Sequence, residues 1–178
     1  MQHELAEVRD KVNHISRDQL ATVYKWADGV STVTPSGHWN AIAVPYISQA
    51  GFSEVRAARS FALVNMAMHN AAIGCWDAKY FYFNPRPTQL DPSIKTEIPL
   101  PNFPSFVSGH STFSAAGADV LSYLFPDGTS YFEAQKQEAA MSRLYGGIHC
   151  RSDIEIGLDH GKRIGDFAVN FAKTDGAD

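Results

Sequence analysis

From Ser53 to Tyr80 the chain contains no proline and a single glycine, Gly74, and from Asn84 to Pro104 it then carries six of its nine prolines. This contrast limits the fold more than any other feature. The first stretch has apolar residues around most of its circumference, which predicts a long, central, buried helix. The second can form neither a regular helix nor a central strand, because proline lacks an amide proton and fixes φ. A loop of that length within a compact chain is usually a working part. At 178 residues and 44% hydrophobic composition, the chain can bury one core and is short for two ordinary domains. One domain over residues 1–178 is expected.

Around these two segments the helical pattern dominates. Apolar residues at Leu5, Val8, Val12 and Ile15, then Leu20, Val23, Tyr24 and Ala27, fit two short helices or one bent one. Residues 29–37 read as a loop. His110 to Phe125 is helical and rich in small residues, and Pro126-Asp127-Gly128 is a turn. Ser130 with Glu133, and Ser152 with Glu155, have capping-box spacing and predict helices running to about Tyr145 and Ala172. Strand signals are almost absent, so the expected fold class is an all-α helical bundle.

A formal charge of −4 argues against general binding to nucleic acid or to anionic membranes. The N-terminal residues lack the basic and apolar segments of a signal peptide, and no stretch approaches the roughly 20 apolar residues of a membrane span. A soluble chain is expected. Cys75 and Cys150 have no zinc-ligand spacing and read as buried free thiols.

Three short segments could bring cations and histidines together in such a bundle. Lys79 precedes Arg86-Pro87, Ser108-Gly109-His110 stands where the proline loop becomes a helix, and Ser142-Arg143 precedes His149 and Asp153. A tetrahedral oxyanion needs fixed donors and opposing charge. Lys79, Arg86 and Arg143 supply charge, and an arginine fork can bond two oxygens at once. Ser108 and Gly109 fall at a helix start, where free amides and the positive dipole end favour an anion. His149 and Asp153, four apart across another helix start, can pair so that the carboxylate holds one ring nitrogen and frees the other as nucleophile or ligand. His110 is the natural proton donor.

The order and spacing of these blocks resemble the signature of the superfamily that unites type 2 phosphatidic acid phosphatases, bacterial class A acid phosphatases and vanadium-dependent haloperoxidases. The resemblance spans about Ala21 to Phe171. It implies a haloperoxidase-type helical bundle and an oxyanion site with His149, His110 and Asp153 as catalytic residues and Lys79, Arg86, Ser108, Gly109 and Arg143 as anion-binding residues. Where the pattern has proline before the serine this chain has Val107, a departure that bears on loop shape. Pro35-Ser36-Gly37-His38 spells the middle block more literally but stands ahead of Lys79, in the wrong order, so His38 is expected to pack and not to touch the anion. His3, His14, His69 and His160 have no partners in the pattern.

The resemblance implies two reactions at one site. With vanadate as cofactor on His149, the chain would oxidise a halide with hydrogen peroxide. With phosphate at the same place, it would hydrolyse a phosphate ester through a phosphohistidine at His149. Trp76, three before Lys79, and Phe103, seven before His110, stand at offsets where chloroperoxidase-type members line the halide side. Trp26-Ala27-Asp28-Gly29 and Gly37-His38-Trp39-Asn40 are similar to bacterial members of that branch. A non-catalytic oxyanion-binding subunit is the third reading. Haloperoxidases of the family place more helices ahead of the three blocks, so this chain would be the C-terminal part of such an architecture, a compact variant, or a subunit of a homo-oligomer or of a complex with a partner chain.

Overall fold

The computed structural model describes residues 2–177, so the two ends of the expected domain, positions 1 and 178, lie outside the described residues. It contains α-helices α1 (Gln2–Asn13), α2 (Arg17–Lys25), α3 (Thr34–Gln49), α4 (Glu54–Tyr82), α5 (Pro87–Leu90), α6 (Gly109–Leu124), α7 (Thr129–Tyr145) and α8 (Arg151–Ala172), with a single 3-10 turn at Pro126–Gly128. No strand occurs among the described residues, so the chain is all-α. No helix among them is long and apolar enough to cross a membrane. Cys75 and Cys150 are buried and unpaired.

The N-terminal pattern resolves into two helices because Ser16 closes a capping box with Gln19. The Ser16 hydroxyl accepts from the Gln19 amide at 3.2 Å, and the Gln19 side chain accepts from the Ser16 amide at 2.9 Å. The segment 29–37 is only partly a loop, since α3 starts at Thr34 and takes Pro35 into its first turn, where a missing amide proton costs nothing. The caps expected at Ser130 and Ser152 fall elsewhere. Helix α7 opens behind Gly128, and α8 opens behind Cys150, whose amide donates to the Asp153 carboxylate at 3.2 Å. Asp153 thus occupies the third helical position, and the Ser152 amide donates instead to Glu4 of α1 at 2.9 Å.

The central helix is α6, not α4. Helix α6 packs against α3, α4, α7 and α8, and its residues from Ser111 to Ala118 are all buried. Helix α4 buries one stripe, Ser60, Leu63, Val64, Ala67, Met68, Ala71, Cys75 and Lys79, at the i, i+3/i+4 spacing of a single face. Its other side leaves Met66 and Ile73 exposed. Size explains the difference, because the serines, alanines and glycines of α6 let four neighbours approach at once, while the larger residues of α4 cannot all be covered. The main core joins Trp26 and Trp39 to Leu63, Met68, Leu121 and Phe132. A smaller one around Val8, Ile94, Leu144 and Ile154 fastens α1 to α7 and α8.

Helices α6 and α8 approach most closely along Gly157, Gly161 and Gly165. A methyl group at Gly161 would stand 2.1 Å from the Thr112 carbonyl oxygen, and one at Gly157 would stand 2.9 Å from that of Ser108. Both obstacles are backbone, so relief requires the helices to part. Gly161→Ala is therefore expected to destabilise the protein by about 3 kcal/mol, the upper range for overpacking. Gly29→Ala, where nothing lies within 4 Å of the added carbon, should be nearly neutral. Chemical denaturation of both variants measures the difference, and equal midpoints would contradict the packing argument.

Candidate active site

The buried stripe of α4 ends in a cation. Lys79 is fully buried, and its ammonium donates to the carbonyl oxygens of Pro104 (2.9 Å), Ser105 (2.8 Å) and Val107 (2.6 Å). An ammonium has three protons, so all of them fasten the end of the proline loop. Lys79 gives the site its charge, while its hydrogen bonds fix the loop in which Val107 stands. Burial pushes its pKa down to about 8.

Arg86 caps the short helix α5 and points inward. Its Nε and Nη2 each donate to the Phe103 carbonyl at 3.1 Å, and Nη1 donates to the Ile148 carbonyl at 2.9 Å and to His149 Nε2 at 3.0 Å. Arg143, from the last turn of α7, donates through Nε to Ser142 (2.8 Å) and through Nη2 to the Val23 carbonyl (3.3 Å). Both guanidinium groups are buried, and burial lowers each to about 10, so they remain charged at neutral pH.

His149 and Asp153 meet across the start of α8. His149 Nδ1 donates to Asp153 Oδ2 at 2.9 Å, and the Ser105 hydroxyl donates to the same oxygen at 2.5 Å. The imidazole proton is thereby fixed on Nδ1, leaving a lone pair on Nε2. Burial is the main force that lowers the His149 pKa to about 3, and the charges of Arg86 and Lys79 act the same way against the pull of Asp153. Burial disfavours the Asp153 carboxylate, but hydrogen bonds from His149, Ser105 and the Cys150 amide outweigh it and hold the pKa below the ordinary value.

His110 stands at the other end. Helix α6 is capped by Ser108, whose amide donates to the Asp153 carbonyl at 2.9 Å, leaving Gly109 and His110 as first-turn amides without intrahelical acceptors. The His110 ring does not meet His149. Its Nε2 is buried, has no hydrogen-bond partner, and lies 3.7 Å from Asp28 Oδ2. Burial first and Arg143 second lower its pKa to about 4, while Asp28 opposes them.

Trp76 and Phe103 form an aromatic wall, with ring centroids 5.2 Å apart and 5.9 and 5.2 Å from the Lys79 ammonium. Beside them, an open cavity of about 620 Å³ runs between Tyr80 and Phe83 on one side and the 100–104 loop on the other, with Arg86 and Phe103 in its lining. Sequence reasoning missed Ser105 and Asp28. Ser105 carries no motif signal, whereas Asp28 lies in the Trp26-Ala27-Asp28-Gly29 stretch already noted for its resemblance. His38 stacks on Trp26 at 4.0 Å and reaches Asp28 at 3.1 Å, so it packs as expected but against a site residue. His160 lies against Gly74 of α4, away from this cluster.

Three buried cations thus face two carboxylates, Asp153 and Asp28, with both imidazoles neutral. One positive charge is left over. Among the described residues no group of three or more His, Cys, Asp or Glu could hold a metal cation. The donor set fits a tetrahedral oxyanion carried on one imidazole nitrogen. A family model described as the PAP2 superfamily matches residues 55–175, which contain all three blocks. The chain belongs to the PAP2 superfamily.

Solved structures agree with this PAP2 membership. A bacterial vanadium-dependent iodoperoxidase is 31% identical with a TM-score of 0.85, over 95% of this chain and 48% of that one. A bacterial vanadium-dependent chloroperoxidase in its holo form has a TM-score of 0.82 at 14% identity, over 97% of this chain and 47% of that one. A transmembrane PAP2-type phosphatidylglycerolphosphate phosphatase from Bacillus subtilis has a TM-score of 0.66 at 15% identity, over 97% of this chain and 85% of that one. The PAP2 chain therefore spans about half the length of the haloperoxidases and most of the phosphatase. None of the curated proteins matches it.

The site predicts acid lability. His110 and His149 are neutral when folded, yet an unfolded chain protonates them below their ordinary value of 6.5. The unfolded state then binds more protons, so stability falls as pH drops from 6.5 toward 4, by about 1.4 kcal/mol per pH unit for each histidine. Asp28 and Asp153, lowered from 3.8, add to the loss only at still lower pH. Denaturant unfolding between pH 7.5 and 4.5 should show this slope, and His110→Gln with His149→Gln should flatten it. A double variant as steep as the parent would place the effect elsewhere.

Proposed function

We propose that this PAP2 chain is a vanadate-dependent haloperoxidase that oxidises a halide with hydrogen peroxide. The observation that carries this reading is the surplus buried positive charge around the unprotonated Nε2 of His149, set beside the aromatic wall of Trp76 and Phe103. Arg86, Arg143 and the first-turn amides of Gly109 and His110 would hold vanadate, and His149 would give it the Nε2 lone pair. When bound, vanadate supplies Lewis-acid polarisation of hydrogen peroxide. Asp153, fixed by Ser105 and the Cys150 amide, keeps His149 in the tautomer that presents this lone pair. Lys79 contributes its field from behind the loop it holds. His110 would accept a proton at Nε2 from the peroxide substrate and give one back in the course of the reaction. Trp76 and Phe103 exclude water and offer their positive ring edges to a halide. The iodoperoxidase, at 31% identity, supports the assignment.

The same site supports a second reading, because phosphate shares the charge and tetrahedral shape of vanadate and the Bacillus phosphatase shares this fold with a TM-score of 0.66. In that reading His149 Nε2 attacks phosphorus and the ester oxygen departs with a proton from His110. Water then hydrolyses the phosphohistidine. In either reading the exposed outer side of α4, with Ile73 at 59% exposure, supports association with a second chain.

The expected outcome is vanadate-dependent oxidation of iodide or bromide by hydrogen peroxide, inhibited by phosphate. His149→Ala should abolish it with the helical circular dichroism intact, and Asp153→Asn should weaken it about 10–100-fold. Hydrolysis of p-nitrophenyl phosphate, inhibited by vanadate, without halide oxidation would replace the first reading by the second. An inactive protein that still binds vanadate would be a non-catalytic oxyanion-binding subunit.

A further inference from the structure

The mechanism uses His110 as a proton carrier, yet its Nε2 is buried and without a hydrogen-bond partner. Such a group settles into the protonation state from which each turnover starts only by equilibrating with water. Among the described residues, the carboxylate oxygen set near this atom is Asp28 Oδ2, at 3.7 Å. Asp28 is buried too, its side chain 6% exposed. On its other side, both carboxylate oxygens lie within hydrogen-bond distance of His38 Nδ1, at 3.2 and 3.1 Å. His38 is partly exposed and lines a separate open cavity of about 470 Å³ with Ile42, Tyr46 and Tyr131.

From these placements we propose that Asp28 and His38 form the port through which His110 exchanges protons with solvent. The proposal rests on the acid–base role given to His110 above, which both readings of the reaction share.

The ordered path is a histidine, a carboxylate and a second histidine that ends at water. His38 is held for the purpose. Its ring stacks on Trp26 with centroids 4.0 Å apart and planes 13° from parallel. Trp26 is itself buried and donates through Nε1 to Glu138 at 2.8 Å, and Glu138 accepts from Lys25 at 2.6 Å. Asp28 has φ 41°, in the left-handed region that asparagine and aspartate enter more readily than other side chains. The charged groups facing the path are His38, His110 and Arg143 around Asp28, and Glu138 near His38.

Inward transfer balances simply. Water in the cavity gives a proton to His38 Nε2 while the Nδ1 proton moves to Asp28, and Asp28 passes it to Nε2 of His110. No heavy-atom bond forms or breaks. Inward transfer leaves His38 protonated on Nε2; outward transfer brings a proton through Asp28 to Nδ1, releases the one on Nε2 to water and so restores the starting tautomer. The carboxylate is ionised between transfers, because the two imidazoles beside it outweigh the effect of burial and hold its pKa below the ordinary value.

The test needs no turnover. Protonation and deprotonation of His110 Nε2 switch its nitrogen-15 shift between two values, so relaxation dispersion on the nitrogen-15 histidine-labelled chain near the His110 pKa of about 4 reads the rate of proton exchange directly. His38→Gln keeps an amide to hold Asp28 but cannot carry a proton. We expect it to slow His110 exchange at least tenfold, with imidazole buffer restoring the rate. Asp28→Asn should slow it as well, with less rescue. Exchange in His38→Gln at the parent rate, or slow exchange that imidazole does not restore, would overturn the port. A backbone amide spectrum shows whether the variant is folded, and should His38→Gln fail to fold, Asp28→Asn decides by the same criterion of rate. A second reading follows turnover of halide or phosphate ester against buffer concentration. If the parent protein turns over neither while His110 exchange depends on His38, the functional reading fails and the port stands.

Discussion

The contact between α6 and α8 at Gly157 and Gly161 determines where every other part of the site can be. Because only hydrogen separates the two backbones there, the start of α6 lies against the first turn of α8, and the Ser108 amide reaches the Asp153 carbonyl at 2.9 Å. That bond ties the two anion-facing segments together. On one side it sets the first-turn amides of Gly109 and His110, and on the other it sets Asp153, whose carboxylate orients His149. A wider spacing would leave each block intact in sequence and separate them in space. The glycines therefore act on the chemistry through packing, although none of their atoms carries a charge.

Closely packed helices also explain how three cations survive burial. Removing a charged group from water costs several kcal/mol unless partners replace the water, and here most of the partners are backbone carbonyls at the ends of irregular segments. Lys79 takes Pro104, Ser105 and Val107, Arg86 takes Phe103 and Ile148, and Arg143 takes Val23. Carbonyl dipoles solvate a cation without cancelling it. A ring of carboxylates would have done both, and the site would have lost its attraction for an anion. The long proline loop supplies many of these carbonyls because its prolines keep it out of a helix, where the same oxygens would be occupied by amides.

This division between letters and backbone sets what could be read from sequence. The three blocks were legible because their chemistry is carried by side-chain identity at short spacing, and the His149 and Asp153 pair needs only four residues of one helix start. The all-α class followed from helical periodicity and the proline loop. The partners of Lys79 were not legible, since a carbonyl is present at every position and only the folded path says which ones converge. Ser105 and Asp28 belong to the same class, for each meets its histidine across a tertiary contact. Taking α4 as the central helix had a different cause. Its large apolar residues dominate any hydrophobic pattern, but the centre belongs to α6, whose small residues contribute little to such a pattern and are what permits neighbours on several sides.

The two histidines show how one residue type is given opposite tasks by what lies beside a single atom. Both are neutral, His149 as a buried ring and His110 with its Nε2 buried, and each has an aspartate. At His149 the aspartate holds Nδ1, and Nε2 faces the Arg86 guanidinium at 3.0 Å, so a proton arriving there would meet a fixed positive charge. Such a nitrogen keeps its lone pair, which suits it to bond an electrophilic centre. At His110 the carboxylate stands on the Nε2 side, at 3.7 Å, and a proton arriving there is drawn toward negative charge. That nitrogen is placed to accept and return a proton. In the proposed reaction, therefore, the arrangement of Arg86 and Asp28, more than the histidines themselves, decides which ring would bond the anion and which would move the proton.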